Sequence, residues 1–351
     1  MGGHIHLQFD DPGNPILEDH NGNVLSTSGT TTKGIQEAII FAEALCRPLV
    51  VDGWSDFIDV TGSIKFGSTR GQHYEFRGVL LRSTAAGPAI TLDAPVFIGL
   101  DWTGHIEYAG SGSEVVLFDP QTPAPGIFGT AGGGRIHKFG DIHLPFLYVQ
   151  TGLNPAPQTV TRFRTVGGSL VDQRIKIDGV HGGLVAQNGI LVENPFDDPA
   201  LPGVSQSFAE NHIDFGFIGA CTSVALQVGT GQIDHQVTPV NTTHWIGQIN
   251  TDGAIVNGVH DTNHQMTAYL ATFAEHDIYD ILSMSINAGR VQWGAIFNAS
   301  SRGNVARLTQ IQTDPAGNVV FFAGSLNKVW APHTIGGPAV GSGANGNELI
   351  Q

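Results

Sequence analysis

The sequence predicts an all-β protein. Short segments of alternating apolar and polar residues fill the chain from Asn211 to Asn327, and each ends in Asn, Gly, Asp or Ser. This alternation is typical of half-buried strands. In segments 212–217 and 291–298 the apolar residues that we expect to share one face are Ile213, Phe215 and Phe217, and Val291, Trp293, Ala295 and Phe297. No helix-length apolar stripe interrupts the region, so its strands must pair with one another.

Composition agrees with a folded, turn-rich β protein. The chain has 351 residues, 47 of them Gly, with 41% hydrophobic and 13% charged residues. A single domain of this length is common among all-β proteins. The net charge of −15 disfavours binding to nucleic acid. The chain begins without the basic and apolar segments of a signal peptide and has no run of about 18 apolar residues, so we expect no membrane insertion.

Cysteines and clustered histidines give little indication of a disulfide or a metal. Cys46 and Cys221 lie far apart, and we predict two buried thiols rather than a disulfide. His4 and His6 have the spacing of two metal ligands on one side of a strand. We interpret that spacing as coincidence, and we predict neither a metal site nor a cofactor.

The N-terminal region divides into an arm and a helix. Residues 1–29 are polar and turn-rich, and we predict an N-terminal arm there, followed by one domain over residues 30–351. A helix is predicted over Thr30–Arg47, because apolar residues recur at three- and four-residue spacing and Pro48 ends the pattern. Its position, directly before the strand Leu49–Val51, suits a helix that covers the end of a stacked β core.

The strands recur in larger units of roughly 20–30 residues, the range expected for solenoid coils. Two-residue hairpin signals are almost absent after Asn23, which disfavours an antiparallel sandwich or barrel. The predicted helix that runs into Leu49–Gly53, the strands ending in Asn or Gly, and the segment Gly346–Ile350 resemble the right-handed parallel β-helix superfamily, with its pectate-lyase-like and phage tailspike-like members. The resemblance covers about residues 30–350. It implies a single-stranded right-handed parallel β-helix, a solenoid with an N-terminal capping helix.

The resemblance also implies a class of function. The superfamily contains polysaccharide lyases, glycoside hydrolases, epimerases and phage tail proteins that bind or cleave glycans. It implies a tailspike-like protein, virion-associated or extracellular, that binds a cell-surface polysaccharide and assembles as a homotrimer. Such a protein could also cleave the polysaccharide, as a depolymerase. The alternatives are a stand-alone polysaccharide lyase or glycoside hydrolase, and a structural virion or shell component without catalytic activity. No motif of one member family is present, so no active-site residues carry over.

The densest group of polar residues lies between positions 252 and 280. Glutamate is sparse after Glu210, so a glycan-cleaving enzyme would depend on aspartates there. A carboxylate that orients a histidine could form an acid–base site. The alternative is a set of solvated turn residues, since Asp, Asn and His are common in turns. The candidate catalytic residues are Asp252, His260, Asp261, His264, His276, Asp277 and Asp280.

A second group lies on one predicted strand. Arg174, Lys176 and Asp178 alternate with Ile175 and Ile177 and should share an exposed face. With His181 they are the predicted substrate-binding residues, suited to acidic sugars. The alternative is an ordinary solvated strand face.

Overall fold

The protein is described here by a computed structural model. It describes residues 3–10, 14–25, 30–67, 72–93, 98–120, 140–165, 169–195, 208–231, 236–250, 254–256, 259–261, 266–286, 291–313, 318–331 and 344–350. For residues 254–256, 259–261, 286, 312 and 313 it describes the backbone alone.

The described residues form one α-helix, 28 strands and a 3-10 turn at Ala344–Gly346. The helix is α1 (Ile35–Leu45). The strands of the first half are β1 (Ile5–Phe9), β2 (Pro15–Glu18), β3 (Val24–Leu25), β4 (Leu49–Asp52), β5 (Ile58–Val60), β6 (Ile64–Phe66), β7 (Gln72–Ser83), β8 (Ile90–Leu92), β9 (Ile98–Tyr108), β10 (Glu114–Phe118), β11 (Asp141–Val149), β12 (Thr159–Phe163), β13 (Leu170–Val171) and β14 (Arg174–His181). Those of the second half are β15 (Asn188–Val192), β16 (Phe208–Ala209), β17 (His212–Gly219), β18 (Val224–Val228), β19 (Thr243–Asn250), β20 (Ala254–Val256), β21 (Val259–Asp261), β22 (Met266–Thr272), β23 (Ile278–Ile286), β24 (Val291–Phe297), β25 (Val305–Thr313), β26 (Asn318–Phe322), β27 (Lys328–Trp330) and β28 (Glu348–Ile350).

Two long sheets contain most of the strands. Sheet A has 15 strands in the order β28-β27-β25-β23-β19-β17-β14-β11-β9-β7-β4-β1-β2-β3, with β5 also paired to β7. Sheet B has nine, in the order β26-β24-β22-β18-β15-β12-β10-β8-β6. From β6 to β27, apart from β13, β16, β20 and β21, the strands alternate between the two sheets. Within each sheet, neighbouring strands from successive circuits are parallel. A third, short parallel ladder joins β13 to β16 and continues as single bridges from Ala209 to Ser325.

This topology confirms the all-β prediction. Most strands are parallel and lie in stacked sheets, with one helix, an arrangement compatible with a β-helix solenoid. Antiparallel pairing in the described ranges is confined to β1–β2, β2–β3 and β20–β21. The strands therefore do not form the antiparallel sandwich that was the competing architecture. The described part of residues 1–29 continues sheet A, because β1 pairs with β4.

Equivalent positions in sheet A stack into apolar rows that line the interior. One row runs through six consecutive strands and is almost completely buried: Leu144, Ile177, Phe215, Ile246, Ile281 and Leu308. The next buried residue in each strand comes three positions later: Leu147, Val180, Ile218, Ile249, Met284 and Ile311. Strict alternation therefore breaks at the same place in every strand. For this reason Phe217, which alternation placed in the core beside Ile213 and Phe215, is half-buried instead, and in sheet B Trp293 is also only half-buried.

A further row, formed by residues that immediately precede strands of sheet A in the sequence, consists of buried polar side chains. Each accepts a hydrogen bond from a backbone N–H of the previous circuit. The pairs are Gln173–Asn211 (3.0 Å), Thr242–Asp277 (2.8 Å), Asp277–Asn304 (2.9 Å), Asn304–Asn327 (3.1 Å) and Asn327–Asn347 (2.9 Å). These bonds satisfy backbone donors that would otherwise be buried without partners.

The predicted helix is present but shorter than residues 30–47. It begins after Gly34, whose φ is 83°, and ends before Cys46, whose φ is 51°. Both conformations are left-handed and cannot continue an α-helix. Its buried residues Ile35, Ala38, Ile39 and Ala42 belong to the same apolar core as the strands. In the described ranges no helix is both long and apolar enough to cross a membrane.

The cysteines are not joined by a disulfide. Cys221 is buried, as expected, but Cys46 is exposed. Cys46 follows directly on the last residue of α1, where the chain turns away from the core face. The prediction of two buried thiols was therefore correct for Cys221 and wrong for Cys46.

Candidate functional site

An open groove crosses the outer face of sheet A. It has a volume of about 840 Å³ and crosses the five adjacent strands β7, β9, β11, β14 and β17. Strands in a sheet lie about 4.8 Å apart, so the groove is roughly 19 Å long. Its polar side chains are His73, Asp101, Asp141, His143, Arg174, Lys176, His212 and Asp214. They face outward because the residues that alternate with them, such as Ile142, Ile175 and Ile213, are buried.

At the centre of the groove, a histidine is held between two carboxylates. Nδ1 of His143 lies 2.8 Å from Asp101, and its Nε2 lies 3.0 Å from Asp178. Because a carboxylate only accepts hydrogen bonds, both ring nitrogens must carry a proton for both contacts to be hydrogen bonds. The ammonium group of Lys176 also contacts Asp178, at 3.0 Å, and lies 3.4 Å from Nε2 of His143. Four side chains from three strands thus form one connected network.

The network sets the charge state of Asp178. Burial acts to raise the pKa of Asp178, but hydrogen bonds from His143 and Lys176 and the charges of these two groups outweigh it, so the pKa lies below its ordinary value. Asp178 is therefore ionised at neutral pH. It neutralises part of the positive charge of Lys176 and restrains the position of that side chain.

Two charged groups in the groove have no side-chain partner among the described residues. Arg174 and Asp141 are directly opposite each other on neighbouring strands, and both are exposed. Neither side chain makes an ion pair or hydrogen bond in the described part of the chain. By contrast, His212 contacts Asp214 at 3.0 Å. Arg174 and Asp141 are therefore free to bind the polar groups of a ligand.

A row of aromatic rings lies on β9, β11, β14 and β17, after the break in alternation, and continues to Phe57, which directly precedes β5. Neighbouring ring centroids are 5.0–6.3 Å apart, and the rings are half-buried. We call this the aromatic strip: Phe57, His105, Phe146, Tyr148, His181 and Phe217. His181 packs against Tyr148 and Phe217, and its Nδ1 accepts a hydrogen bond from the N–H of Gly183 at 3.1 Å.

The predicted binding residues therefore separate into two places. Arg174 and Lys176 line the groove and Asp178 contacts its central histidine, whereas His181 belongs to the aromatic strip. The separation follows from the break in alternation, which comes after Asp178 and before His181. The expected exposure of Arg174, Lys176 and Asp178, with buried Ile175 and Ile177 between them, is confirmed.

The predicted catalytic group does not share one surface where it is described. Asp277 is completely buried, belongs to the polar row, and contacts His244 at 3.1 Å and Tyr279 at 3.2 Å. Asp277 is therefore a core residue and not the solvated acid that a turn position suggested. His276 lies in an exposed turn, and Asp280 pairs with Arg307 at 3.0 Å on the outer face of sheet A. Asp252 and His264 lie outside the described residues, and for His260 and Asp261 only the backbone of β21 is described.

The binding residues predicted from the sequence did not include the groove residues His73, Asp101, Asp141, His143 and His212. A signal for three of them exists. The segments 141–144, 174–177 and 212–215 read Asp-Ile-His-Leu, Arg-Ile-Lys-Ile and His-Ile-Asp-Phe, and their isoleucines are aligned in register. Aligning these segments would have placed Asp141, His143 and His212 beside Arg174 and Lys176.

The groove offers donors and acceptors for a polar ligand rather than a metal site. Among the residues that can be assessed, no group of three or more His, Cys, Asp and Glu side chains could hold a metal ion. Comparison with known proteins adds no relative: no family model, no curated protein and no solved structure matches the chain.

Proposed function

We propose that the chain is a right-handed parallel β-helix of the tailspike-like kind that binds a cell-surface polysaccharide in the groove on sheet A. The observation that carries the proposal is the groove itself, an open channel that crosses five adjacent parallel strands and presents polar side chains from each of them. A linear polymer can lie along such a channel and meet a new set of side chains at each strand. Arg174 and Asp141, which have no side-chain partner in the described ranges, supply a donor and an acceptor for hydroxyl or acidic groups.

Binding can be tested with the intact chain on a panel of neutral and acidic polysaccharides, by affinity electrophoresis. We expect retention on at least one polymer and about tenfold weaker binding for Arg174→Ala, the cost of one charge-assisted hydrogen bond. Arg307→Ala is the matched control, because Arg307 is an exposed arginine of sheet A outside the groove and is paired with Asp280. Equal losses for the two variants, or no retention on any polymer, would contradict the proposal.

Depolymerase activity is a second candidate within the same proposal. The favouring observation is the juxtaposition of His143, Lys176 and three nearby aspartates, which are acid–base groups in an open channel. Incubation with the same panel, followed by reducing-end assay and by absorbance of unsaturated uronates, tests it. If the polymer binds but no product forms, the chain is a binding protein. That result would contradict both the depolymerase function and the alternative of a stand-alone lyase or hydrolase.

The proposed setting is a virion or the extracellular space, with three chains per assembly. Sedimentation of the intact chain tests the trimer, and a monomer at micromolar concentration would contradict the trimeric assembly. Tail genes on either side of the gene would support the virion assignment. A chain that binds no polymer but co-purifies with virions would instead be a structural component.

A further inference from the structure

An exposed tryptophan, Trp245, lies one strand beyond the end of the groove. The groove reaches β17, where Asp214 is one of its polar side chains, and β19 is the next strand of sheet A. Asp214 and Trp245 are paired in register across these two parallel strands, so both side chains leave the sheet on the same side. The ring of Trp245 therefore continues the outer surface on which the groove lies.

The outward position of Trp245 is fixed by its own strand. Its neighbours His244 and Ile246 are completely buried. Because successive side chains of a strand point to opposite faces, Trp245 cannot turn into the core while these two residues occupy it. A side chain on a backbone that is already fixed loses less conformational freedom when a ligand binds.

The ring of Trp245 is open to a ligand. Among the described phenylalanine, tyrosine and tryptophan side chains it alone is exposed, at 41%. Trp102, by contrast, is completely buried, donates from Nε1 to the carbonyl of Val79 at 3.2 Å and stacks on Phe76. Trp245 makes no such hydrogen bond or ring contact in the described ranges. Both its indole face and its N–H are therefore available for binding.

The ring belongs to a small apolar patch. Its six-membered part reaches over Gly247, where a Cβ atom would lie 3.5 Å from Cη2 of Trp245. Leu282 of β23, which is 46% exposed, lies beside Gly247 on the neighbouring strand. One indole and one leucine are far less than the roughly 800 Å² that each partner buries in a stable protein interface. The patch is instead of a size to cover one sugar ring.

Carboxylates lie on both sides of Trp245 in the row that crosses the sheet. Asp214 precedes it and Asp280 follows it, each one strand away, about 4.8 Å. Asp214 contacts His212 and Asp280 contacts Arg307, both at 3.0 Å, but a carboxylate has about four acceptor sites, so each can still accept from a hydroxyl group. An acidic group on the ring would lie beside two like charges, of which only Asp280 is neutralised by an arginine. These surroundings favour a neutral sugar.

We propose that Trp245 is the stacking platform for a neutral hexopyranose unit of the polysaccharide that occupies the groove. This inference rests on the proposed function and adds a specificity-determining residue and the class of sugar that it selects. The C–H face of the pyranose lies on the indole, and its hydroxyl groups donate to Asp214 and Asp280. The binding site then spans six strands, from β7 to β19, roughly 24 Å.

The test measures polymer binding by the intact chain together with acrylamide quenching of its tryptophan fluorescence. The probes are dextran and galactomannan, built of neutral units, hyaluronan, in which neutral and acidic units alternate, and polygalacturonate, in which every unit is acidic. A single-stranded DNA oligonucleotide is added because its bases also stack on aromatic rings. We expect at least one polymer with neutral units to bind and to protect Trp245 from acrylamide. Polygalacturonate and the DNA should give no protection.

Variants assign the effect to the ring. Trp245→Ala should weaken binding of that polymer about tenfold, the loss expected for one stacked ring. Trp245→Phe keeps a smaller ring and should weaken it about threefold. Both variants should lose the protection from acrylamide. The matched control is Ile40→Ala, because Ile40 is an exposed apolar residue of α1 outside the groove, and it should behave like the parent chain.

The outcomes separate this inference from the function on which it rests. If a polysaccharide binds the parent chain and Trp245→Ala equally tightly, the groove function stands and the platform is overturned. The same holds if Trp245→Ala binds normally but sediments as a smaller assembly, which would assign the ring to an interface between copies. Protection by polygalacturonate overturns the neutral class of sugar, and protection by DNA overturns the assignment to a sugar. If no polysaccharide binds, both proposals fall.

Discussion

The side-chain amide of Gln36 pairs with the backbone of Lys65 as a neighbouring strand would. Its Oε1 accepts a hydrogen bond from the N–H of Lys65 at 2.6 Å, and its Nε2 donates to the carbonyl of Lys65 at 3.1 Å. Lys65 is in β6, the edge strand of sheet B, and no other described strand pairs with its outer edge. Helix α1 thus satisfies part of an open sheet edge, which would otherwise be free to pair with another chain.

Replacing Gln36 should therefore weaken the N-terminal end of the fold. We expect Gln36→Ala to lower the free energy of unfolding by about 1–2 kcal/mol, because two hydrogen bonds are lost and water replaces part of them. Urea denaturation measures the loss, and light scattering reports association through the freed edge. Gln36→Glu retains the acceptor for Lys65 N–H and should lose less. Gln248→Ala, at an exposed position in the middle of sheet A, is the control. Equal stability of Gln36→Ala and the control would contradict the role given to this amide.

Asp277 should be essential for stability rather than for catalysis. Its carboxylate accepts from the N–H of Thr242 and contacts His244 and Tyr279, all inside the core. Burial, together with the negative charge of Asp277, raises the pKa of Tyr279, so its hydroxyl stays a neutral donor. Asp277→Ala removes the side-chain acceptor of the Thr242 N–H, the carboxylate beside His244, and one of two hydrogen-bond partners of the Tyr279 hydroxyl, which keeps Thr272 at 2.7 Å. The loss should cost about 3–5 kcal/mol. Asp277→Asn keeps the bond to Thr242 and should cost about 1–3 kcal/mol.

Denaturation measures both losses, and polymer binding by the folded Asp277→Asn variant at low temperature should equal that of the parent chain. A variant that keeps its stability but loses activity on a glycan would instead make Asp277 a functional acid.

His105 should make the fold less stable in mild acid. Burial in the aromatic strip lowers the pKa of His105, although the charge of Glu107 opposes the shift. The unfolded chain, with an ordinary histidine pKa near 6.5, then binds more protons than the folded chain. The contribution of His105 is therefore present above about pH 6.5 and is lost as the pH falls through the lower pKa of the folded state. His105→Phe keeps an aromatic ring without the titration.

We therefore expect the loss of unfolding free energy between pH 7.5 and pH 5.5 to be smaller for His105→Phe than for the parent chain. Gln248→Ala, an exposed substitution that removes no titratable group, should leave that loss unchanged. The same slope in all three proteins would show that His105 titrates alike in the folded and unfolded states.

The two cysteines should react very differently with a thiol reagent. Cys46 is exposed, whereas burial raises the pKa of Cys221 to about 12, so its thiol stays protonated. At pH 8 we expect one thiol per native chain to react with Ellman's reagent and a second only after unfolding. Cys46→Ser should remove the fast reaction completely. Two fast thiols would show that the core around Cys221 opens on the time scale of the assay, and none would indicate a disulfide.

How far the sequence predicts the structure can be judged from β14. The alternation of Arg174, Lys176 and Asp178 with Ile175 and Ile177 predicts which side chains are exposed, and the structure agrees. His181, predicted as a fourth binding residue, lies among aromatic rings instead, because alternation breaks between Asp178 and His181. That break leaves no local pattern in one strand. Only the comparison of several stacked strands shows it.

The helix, like β14, was predicted correctly in part. Its apolar spacing predicts the buried face of α1 correctly, since that spacing is a property of neighbouring turns. Its ends depend on Gly34 and Cys46, whose left-handed conformations follow from how the chain enters and leaves the core.

Local alternation was enough to establish the strand content and the exposed face of β14, because both depend on residues one to four positions apart. Which polar residues meet in the groove depends on how successive circuits are aligned, and loops of different length set that alignment. Asp101 reaches His143 across 42 residues, and Asp277 reaches His244 across 33. Parallel pairing between circuits therefore put the first pair on an outer face and the second inside the core, an outcome that no stretch of the chain encodes alone.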